Sequence, residues 1–530
     1  MKFFTANRSQ QNLLGYSVED FAKSDAKSHF IVETVSKLNL EKLYSRYSSQ
    51  GAEAYPPDMM VSLVFYAYSE SNTSTRKIEN LCHYDTRYIY ISCNLRPDHT
   101  TLSRFRQKNL DLLEDYFIQI ILLAEEEGIL NLKHISIDGT KMQASSSVSQ
   151  SVKEDQLKRK IDALRRDIKY YMQRCSWVEQ GSTDELDLEN LRQEKQRLET
   201  LEKKLLERQQ QLKARKEKLK PEHRTNHKIN LVEPEARHMS KVNGPGYNAQ
   251  IAVDNETKLI IANDTTDDPN DQNQFSSVHQ NIEKNLPSDT ERTYTTDSGY
   301  HSLDQLEYIE EHHIDATIAD PTPQNRSTKS KPTSAATIIK QKRKVERKDF
   351  TYHLKEDYYE CPAGDKLIYV ENKGRSKVYR AGACRNCELV PFCLASKKRI
   401  KQIYRDNREE LAEKMSCKLQ TDKSKFRMMK RSVSVEPVFG NMKQNLGFRR
   451  FNLRGLKKVK GEFNLMCIAH NLNILFKTMQ TKRLAAVTYA LQIKINQHIA
   501  ISKIRAAKIV QKMTRVLIFP QRMKYVGIVC

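Results

Sequence analysis

Between Leu157 and Leu219 the chain carries a repeat that few folds can satisfy. Leu157, Ile161, Leu164, Ile168, Tyr171 and Cys175 recur at alternating spacings of four and three, and after Gly181-Ser-Thr-Asp184 the pattern resumes with Leu191, Leu198, Leu201, Leu205, Leu212 and Leu219. The intervening positions are mostly charged or Gln. Such a seam buries itself against a second helix, so a coiled-coil-like, antiparallel helical hairpin is expected over 150–220. β-prone runs flank it: Leu132-Lys-His-Ile-Ser-Ile137 before, Tyr247-Asn-Ala-Gln-Ile-Ala-Val-Asp254 and Leu259-Ile-Ile-Ala262 after, the last two joined by a turn at Asn255-Glu-Thr-Lys258. The heptad itself does not choose among dimerisation, DNA clamping and spacing.

Upstream the pattern is helical. Asp58-Met-Met-Val-Ser-Leu-Val-Phe-Tyr-Ala-Tyr68 is a dense apolar helix opening after Pro56-Pro57, and Thr75-Arg-Lys-Ile-Glu-Asn-Leu81 is a second. A third begins in Pro97-Asp-His-Thr-Thr-Leu-Ser-Arg-Phe-Arg-Gln107, with Asp98 or Thr100 as its cap. Leu110 to Leu130 makes a longer amphipathic helix leading into the first β-run. Residues 1–130 thus read as a helical N-terminal domain. Arg104 and Arg106 sit on its third helix, as in a helix-turn-helix offering arginines to DNA or as surface residues of a plain bundle.

Downstream, Arg292-Thr-Tyr-Thr-Thr296 is β-prone, and 304–312 suits a helix capped by Ser302 or Asp304. A polar stretch, 322–348, reads as a loop, and with the cysteine segment behind it forms a linker plus cysteine-rich insertion over 322–400. From Arg405 the pattern is mainly helical through Leu475, and a basic tail, 479–530, follows.

A length of 530 residues exceeds one core and is expected to hold roughly three to four units. No apolar run approaches the roughly 18 residues that span a bilayer. Met1-Lys-Phe-Phe-Thr-Ala6 opens no sustained apolar segment with a cleavage site, so cytoplasm is the expected compartment. Formal net charge is +23, concentrated in places: Glu462 is the last acidic residue, and Lys340-Gln-Lys-Arg-Lys-Val-Glu-Arg-Lys348 is a second basic run. Lys and Arg that neutralise phosphates release counterions, so the excess points to a nucleic-acid partner.

Three acids stand in settings that suit metal ligands. Asp138 ends the run Leu132–Ile137 and precedes Gly139-Thr140-Lys141; Asp297 ends Arg292–Thr296 and precedes Ser298-Gly299-Tyr300; Glu436 opens the helical pattern Glu436-Pro-Val-Phe-Gly-Asn-Met-Lys443. Two strand-end aspartates and a helix-borne glutamate could hold two Mg²⁺ ions about 3.5–4 Å apart, the arrangement that activates a nucleophile and stabilises the leaving oxygen at a phosphodiester. Lys443, two helical turns past Glu436, is expected on the same face, roughly 10 Å from the metals and able to grip a DNA phosphate. Beyond it, Gly447-Phe-Arg-Arg-Phe-Asn-Leu-Arg-Gly-Leu-Lys-Lys458 interleaves Arg449, Arg450 and Arg454 with aromatics, as nucleic-acid grooves do. Composition and spacing alone do not select these three from 66 acids.

Cys361-Pro-Ala-Gly364, Cys384-Arg-Asn-Cys387 and Cys393 offer four thiolates, enough for a structural Zn²⁺ in an insertion with little core of its own; free thiols and a redox pair are the alternatives. Trp177, the one tryptophan, falls within the heptad hairpin, where packing is its expected role.

Longer motifs narrow the choice. His134-Ile-Ser-Ile-Asp-Gly-Thr-Lys141, Gly246-Tyr-Asn-Ala-Gln-Ile-Ala-Val-Asp254, Thr296-Asp-Ser-Gly-Tyr300, and Val435-Glu-Pro-Val-Phe-Gly-Asn-Met-Lys443 running on through Gly447-Phe-Arg-Arg450 and Ala469-His-Asn-Leu472 together resemble a bacterial insertion-sequence transposase of the DDE superfamily. Tyr55-Pro-Pro57, Ser74-Thr-Arg-Lys-Ile78 and Pro97–Arg106 resemble the helical N-terminal domain of that family. The resemblance runs from about residue 1 to residue 478. It implies an RNase H-like α/β catalytic core over 131–478, interrupted by the helical hairpin and the cysteine-rich insertion. It implies Mg²⁺- or Mn²⁺-dependent cleavage at transposon ends and strand transfer into target DNA, with Asp138, Asp297 and Glu436 as catalytic metal ligands and Lys443 as an end contact. Its partners would be double-stranded DNA and further copies of the chain, in the bacterial cytoplasm beside the nucleoid, with no membrane.

Related transposases often carry a tyrosine and an arginine seven and four positions before the glutamate. Met429 and Ser432 stand there, and Arg431, one position off, is the candidate substitute. A domesticated or inactive DNA-binding protein, and a metal-dependent nuclease without strand transfer, are the alternative readings.

Overall fold

The computed structural model describes residues 2–11, 17–22, 25–48, 52–181, 185–217, 227–286, 291–321, 335–354, 356–382, 384–394 and 400–483. The chain divides into two units, Met1–Leu472 and Asn473–Cys530. In the second unit residues 473–483 are helical, and the expected basic tail lies outside the described residues from 484 onward.

The first unit opens with helices. α1 (Pro57–Ser69) starts on Pro57, placed where a missing N–H costs nothing. Its residues from Met59 to Ser69 are buried, the condition of a helix that is hydrophobic on every face. α2 (Thr75–Tyr84), α3 (His99–Lys108) and α4 (Leu113–Glu126) follow. Asp98 accepts hydrogen bonds from the Thr100 and Thr101 amides at 2.8 and 3.0 Å and caps α3, as its position in the sequence suggested.

The chain then forms a mixed sheet. β1 (His134–Gln143) pairs antiparallel with β2 (Gly244–Asp254), and β2 pairs antiparallel with β3 (Ile260–Thr266) across the expected 255–258 turn. On its other edge β1 runs parallel to β4 (Thr293–Thr296), and β4 parallel to β5 (Ala316–Ile318). The resulting order is β3-β2-β1-β4-β5, with a short strand, Arg237–Met239, beside the start of β2.

The heptad block lies between β1 and β2 as α5 (Glu154–Gly181) and α6 (Glu185–Glu217). Leu157, Ile161, Leu164 and Ile168 pack with Leu205 and Leu212. The ion pairs Glu154–Lys216, Arg165–Glu202 and Glu179–Arg192 run down the two helices in opposite directions, which makes the hairpin antiparallel. Trp177 is 71% exposed, so the packing role expected of it is not filled among the described residues.

Helices α7 (Phe275–Asn285) and α8 (Leu303–Glu311) precede β4 and β5, and Ser302 caps α8 through the Gln305 amide. The cysteine segment is a second antiparallel sheet, β6 (Thr351–His353), β7 (Tyr358–Glu360), β8 (Lys366–Lys373), β9 (Ser376–Ala381) and β10 (Gln402–Asp406), paired in chain order. The stretch read as a loop departs from that reading after its first part, 322–334, which lies outside the described residues. Ala335–Gln341 is a helix and Arg347–Asp349 a 3₁₀ turn, because Ile338, Val345 and Phe350 bury themselves in the core of this second sheet.

α9 (Glu409–Leu419) and α10 (Asp422–Gly440) return the chain to the first sheet. Thr421 caps α10 through the Ser424 amide. α10 lies across β1 and β4, tied down where Arg427 and Lys418 meet Asp315 at 2.9 and 2.7 Å just before β5.

Candidate active site

The strand register places two of the expected acids side by side. Ser136 on β1 pairs with Thr295 on the parallel β4, and their hydroxyls hydrogen-bond at 2.9 Å. Asp138 and Asp297 each lie two residues further on, so period-two alternation puts both carboxylates at the same level and on the same face. Both are held alike. Asp138 Oδ1 accepts from the Gly139 amide at 2.8 Å, and Asp297 Oδ1 accepts from the Gly299 amide at 2.9 Å. Each keeps its second oxygen for the space between the strands, where the Arg431 guanidinium of α10 stands 2.9 Å from Asp138 Oδ2 and 4.0 Å from Asp297 Oδ2.

Burial lifts the Asp138 carboxyl from its ordinary 3.8 to about 6. The Arg431 cation pulls the other way, Asp297 and Asp271 push it further up, and the Gly139 amide opposes them. A divalent cation between Asp138 and Asp297 would relieve that excess of negative charge. Gly299 leaves room for the Asp297 carboxylate to seat on its amide: a Cβ there would stand 3.0 Å from Asp297 Oδ1. Hard carboxylate oxygens, pre-held by backbone amides, fit a Mg²⁺-type ion. Among the described residues no set of three or more His, Cys, Asp or Glu side chains is already gathered at metal-holding geometry.

Asp271 is a neighbour that sequence reasoning missed. Gly139 pairs with Gln250 on β2, on the face opposite Asp138, and a Cβ at residue 139 would collide with Asp271 Oδ1 at 2.7 Å. That oxygen accepts from Lys141 Nζ at 3.0 Å, Asn248 Nδ2 at 2.7 Å and Gln250 Nε2 at 2.7 Å. Burial lowers the Lys141 ammonium while Asp271 opposes the shift. Tyr300, buried behind Asp297, donates to Gln250 Oε1, and burial first, then the three aspartates, raises its phenol well above the ordinary value.

Glu436 is not gathered with these acids. It is exposed on α10, whose buried face carries Ser424, Arg427, Arg431, Ser434 and Val438. Pro437 lies within the helix, and Asn441–Asn445, which carries Lys443, is a π turn. Lys443 donates to Thr140 Oγ1, two residues along β1 from Asp138, and, at 3.4 Å, to the Lys141 carbonyl, and burial lowers its ammonium. Arg449, Arg450 and Arg454 are exposed; Arg449 donates to the Lys443 carbonyl at 3.0 Å and Arg454 to the Ser145 carbonyl at 2.9 Å, fixing this basic segment beside β1. In α3, Arg104 is exposed, whereas Arg106 turns inward to the Tyr68 hydroxyl at 2.7 Å and the Thr73 carbonyl at 3.2 Å.

Cys361, Cys384, Cys387 and Cys393 line one cavity of about 420 Å³. Cys361 Sγ accepts from the Asp365 amide at 3.3 Å and Cys384 Sγ from the Lys401 amide at 3.5 Å.

Two family models match the chain at separate places. One, described as a transposase DDE domain, covers residues 360–476; the other, described as transposase domain (DUF772), covers 19–108. The first takes in the four cysteines, α10 and Lys443, while Asp138 and Asp297 lie outside it. Both matches are to transposase domains, one of them a DDE domain, and together they support reading the chain as an insertion-sequence DDE transposase. No curated protein matches it. A solved structure described as the cryo-EM structure of piggyBac transposase synaptic complex with hairpin DNA (SNHP) is similar at 11% identity, covering 90% of this chain and 77% of that one, with a TM-score of 0.28, a level that carries no argument. No helix among the described residues is long and apolar enough to cross a membrane.

Proposed function

We propose that this transposase works by cut-and-paste: metal-dependent cleavage at the ends of an insertion sequence, then strand transfer into target DNA, on an RNase H-like core. The observation that carries the reading is the level pairing of Asp138 and Asp297 on adjacent parallel strands of a β3-β2-β1-β4-β5 sheet. Mg²⁺ or Mn²⁺, when bound, supplies an activated nucleophile and neutralises charge on the leaving oxygen. Asp138 and Asp297 hold the ion, and their glycine amides keep the carboxylates from rotating away. We assign the third carboxylate to Glu436, although it stands exposed on α10 and is not gathered with the two aspartates in this structure.

The DNA contacts we assign are Lys443 beside β1, the exposed Arg449, Arg450 and Arg454, Arg431 once released from the aspartates, and Arg104 on the N-terminal helices. Arg106, spent on Tyr68 and Thr73, serves to fix α3 rather than to reach DNA. The net charge of +23 supports a double-stranded DNA partner, and joining two ends requires a homodimer or higher oligomer, beside the nucleoid in the bacterial cytoplasm. The four cysteines around one cavity support a structural Zn²⁺, with backbone amides already directed at the Cys361 and Cys384 sulfurs.

The test uses DNA carrying the inverted repeats expected to flank the gene. Asp297→Ala should bind these ends and fail to cleave them; cleavage at a rate comparable to the native protein sinks the assignment. Cleavage without joining to a second DNA would leave a nuclease rather than a transposase.

A further inference from the structure

Arg431 occupies the space in which a cation between Asp138 and Asp297 would sit. Its guanidinium is 2.9 Å from one Oδ2 and 4.0 Å from the other, and its side chain is 10% exposed. It is the buried group of α10 that reaches both strands, and its Nε is buried without a hydrogen-bond partner. A guanidinium has five N–H donors in a planar fork that matches a phosphate as well as a carboxylate. Here that fork is only partly engaged.

We propose that Arg431 is a resident cation that holds the two aspartates together in the free protein and is displaced when metal enters, passing to a phosphate of the DNA. This rests on the metal-dependent reading above and adds regulation to the same site. A divalent ion must use the carboxylate oxygens that face Arg431, and a guanidinium within ion-pair distance repels it. DNA phosphate offers Arg431 another anionic partner, including for the idle Nε. Metal and DNA therefore favour one another's binding, which keeps the protein from being loaded with metal before it reaches a transposon end. Arg431 is in this sense a positioning residue, acting through the aspartates.

The test is Mn²⁺ affinity of the full chain, read by electron paramagnetic resonance of the free ion without DNA. Arg431→Gln should bind Mn²⁺ about tenfold or more tightly than the native protein, since the competing charge is gone. Arg431→Met, which keeps the apolar stem, should do the same, and Arg431→Lys, which keeps the charge, should stay within about threefold of native. Circular dichroism melts identify any variant that fails to fold, leaving the others to decide. The tightened site must vanish when Asp138→Asn is added. Unchanged or weaker Mn²⁺ binding in both neutral variants overturns the proposal. If Asp138→Asn alone leaves Mn²⁺ binding unaltered, it is the metal-site reading that falls; if Asp138→Asn abolishes binding while the neutral variants bind as native, only the role of Arg431 falls.

Discussion

Asp138 and Asp297 mirror each other across two parallel strands: each gives one carboxylate oxygen to a glycine amide and turns the other toward Arg431. The symmetry follows from register. Ser136 and Thr295 are paired, so the residue two places on in each strand must share a level and a face. Arg431 is the cation between them, yet burial and the opposition of Asp297 still outweigh it at Asp138.

That opposition gives the metal-free protein a pH dependence. Burial, reinforced by Asp297 and Asp271, raises Asp138 from 3.8 to about 6, so the folded chain keeps a proton that the unfolded chain releases. The sign is that of a raised acid: stability falls as pH climbs from about 4 to about 6, by about 3 kcal/mol at most. Thermal melts at about pH 5 and about pH 7.5 should show this fall in the metal-free native protein and a smaller one in Asp138→Asn. Mn²⁺ should restore the native melting temperature at the higher pH, because only the ionised carboxylate binds it. Equal pH dependence in the two proteins would remove Asp138 as its source.

Asp315 titrates with the opposite sign. Burial would raise its carboxyl, but hydrogen bonds from Arg427 and Lys418 prevail and hold it at about 2. Its contribution is present above an ordinary carboxyl value and is lost as pH falls toward about 2. Asp315→Asn should destabilise the protein by about 1 kcal/mol near neutral pH, discounted for its half-exposed setting, with the difference shrinking in acid. Urea unfolding at about pH 7 and at about pH 2.5 checks this. Because Arg427 lies four residues before Arg431, loosened docking of α10 should also slow cleavage.

Asp271 should matter for architecture before chemistry. Three donors converge on its Oδ1, so Asp271→Asn leaves Lys141 without its anionic partner and disturbs Asn248 and Gln250. A loss of about 1–3 kcal/mol is expected in denaturant unfolding. Asp271→Ala, which removes the acceptor entirely, should cost more than the amide.

The sequence and the structure agree where local rules decide. Most of the heptad residues from Leu157 to Leu212 form the seam of the hairpin, although Leu201 is exposed, and of the two candidate caps, Asp98 and Thr100, Asp98 closes α3. Of the two expected strand ends only Asp297 is one, following the last residue of β4; Asp138 lies in the middle of β1, which runs on to Gln143 because β2 continues to pair with it, and the choice of both as ligands rests on family resemblance. Asp271 was not readable: it sits in the irregular stretch Asp267-Asp-Pro-Asn-Asp271, and its partners arrive from β1 and β2. The π turn at Asn441–Asn445 is not legible from a 3.6-residue period, and neither is the contact of Lys443 with Thr140 on a strand 303 residues earlier. Arg106 looked like a surface arginine until Tyr68 and Thr73 came together beneath it.

The cysteine cavity has its own readout. Elemental analysis of protein purified without chelator should find about one zinc per chain, and Cys387→Ser should lose it and unfold the second sheet first, since the four cysteines pack on that sheet's small core. Zinc content near zero in folded native protein would leave the four as free thiols.

The most direct test of the metal-bearing aspartates exchanges a hard ligand for a soft one. Asp138→Cys should bind DNA ends, cleave them negligibly with Mg²⁺, and regain cleavage with Mn²⁺, which tolerates a thiolate better. Native-like cleavage by Asp138→Cys in Mg²⁺ would contradict metal ligation by Asp138.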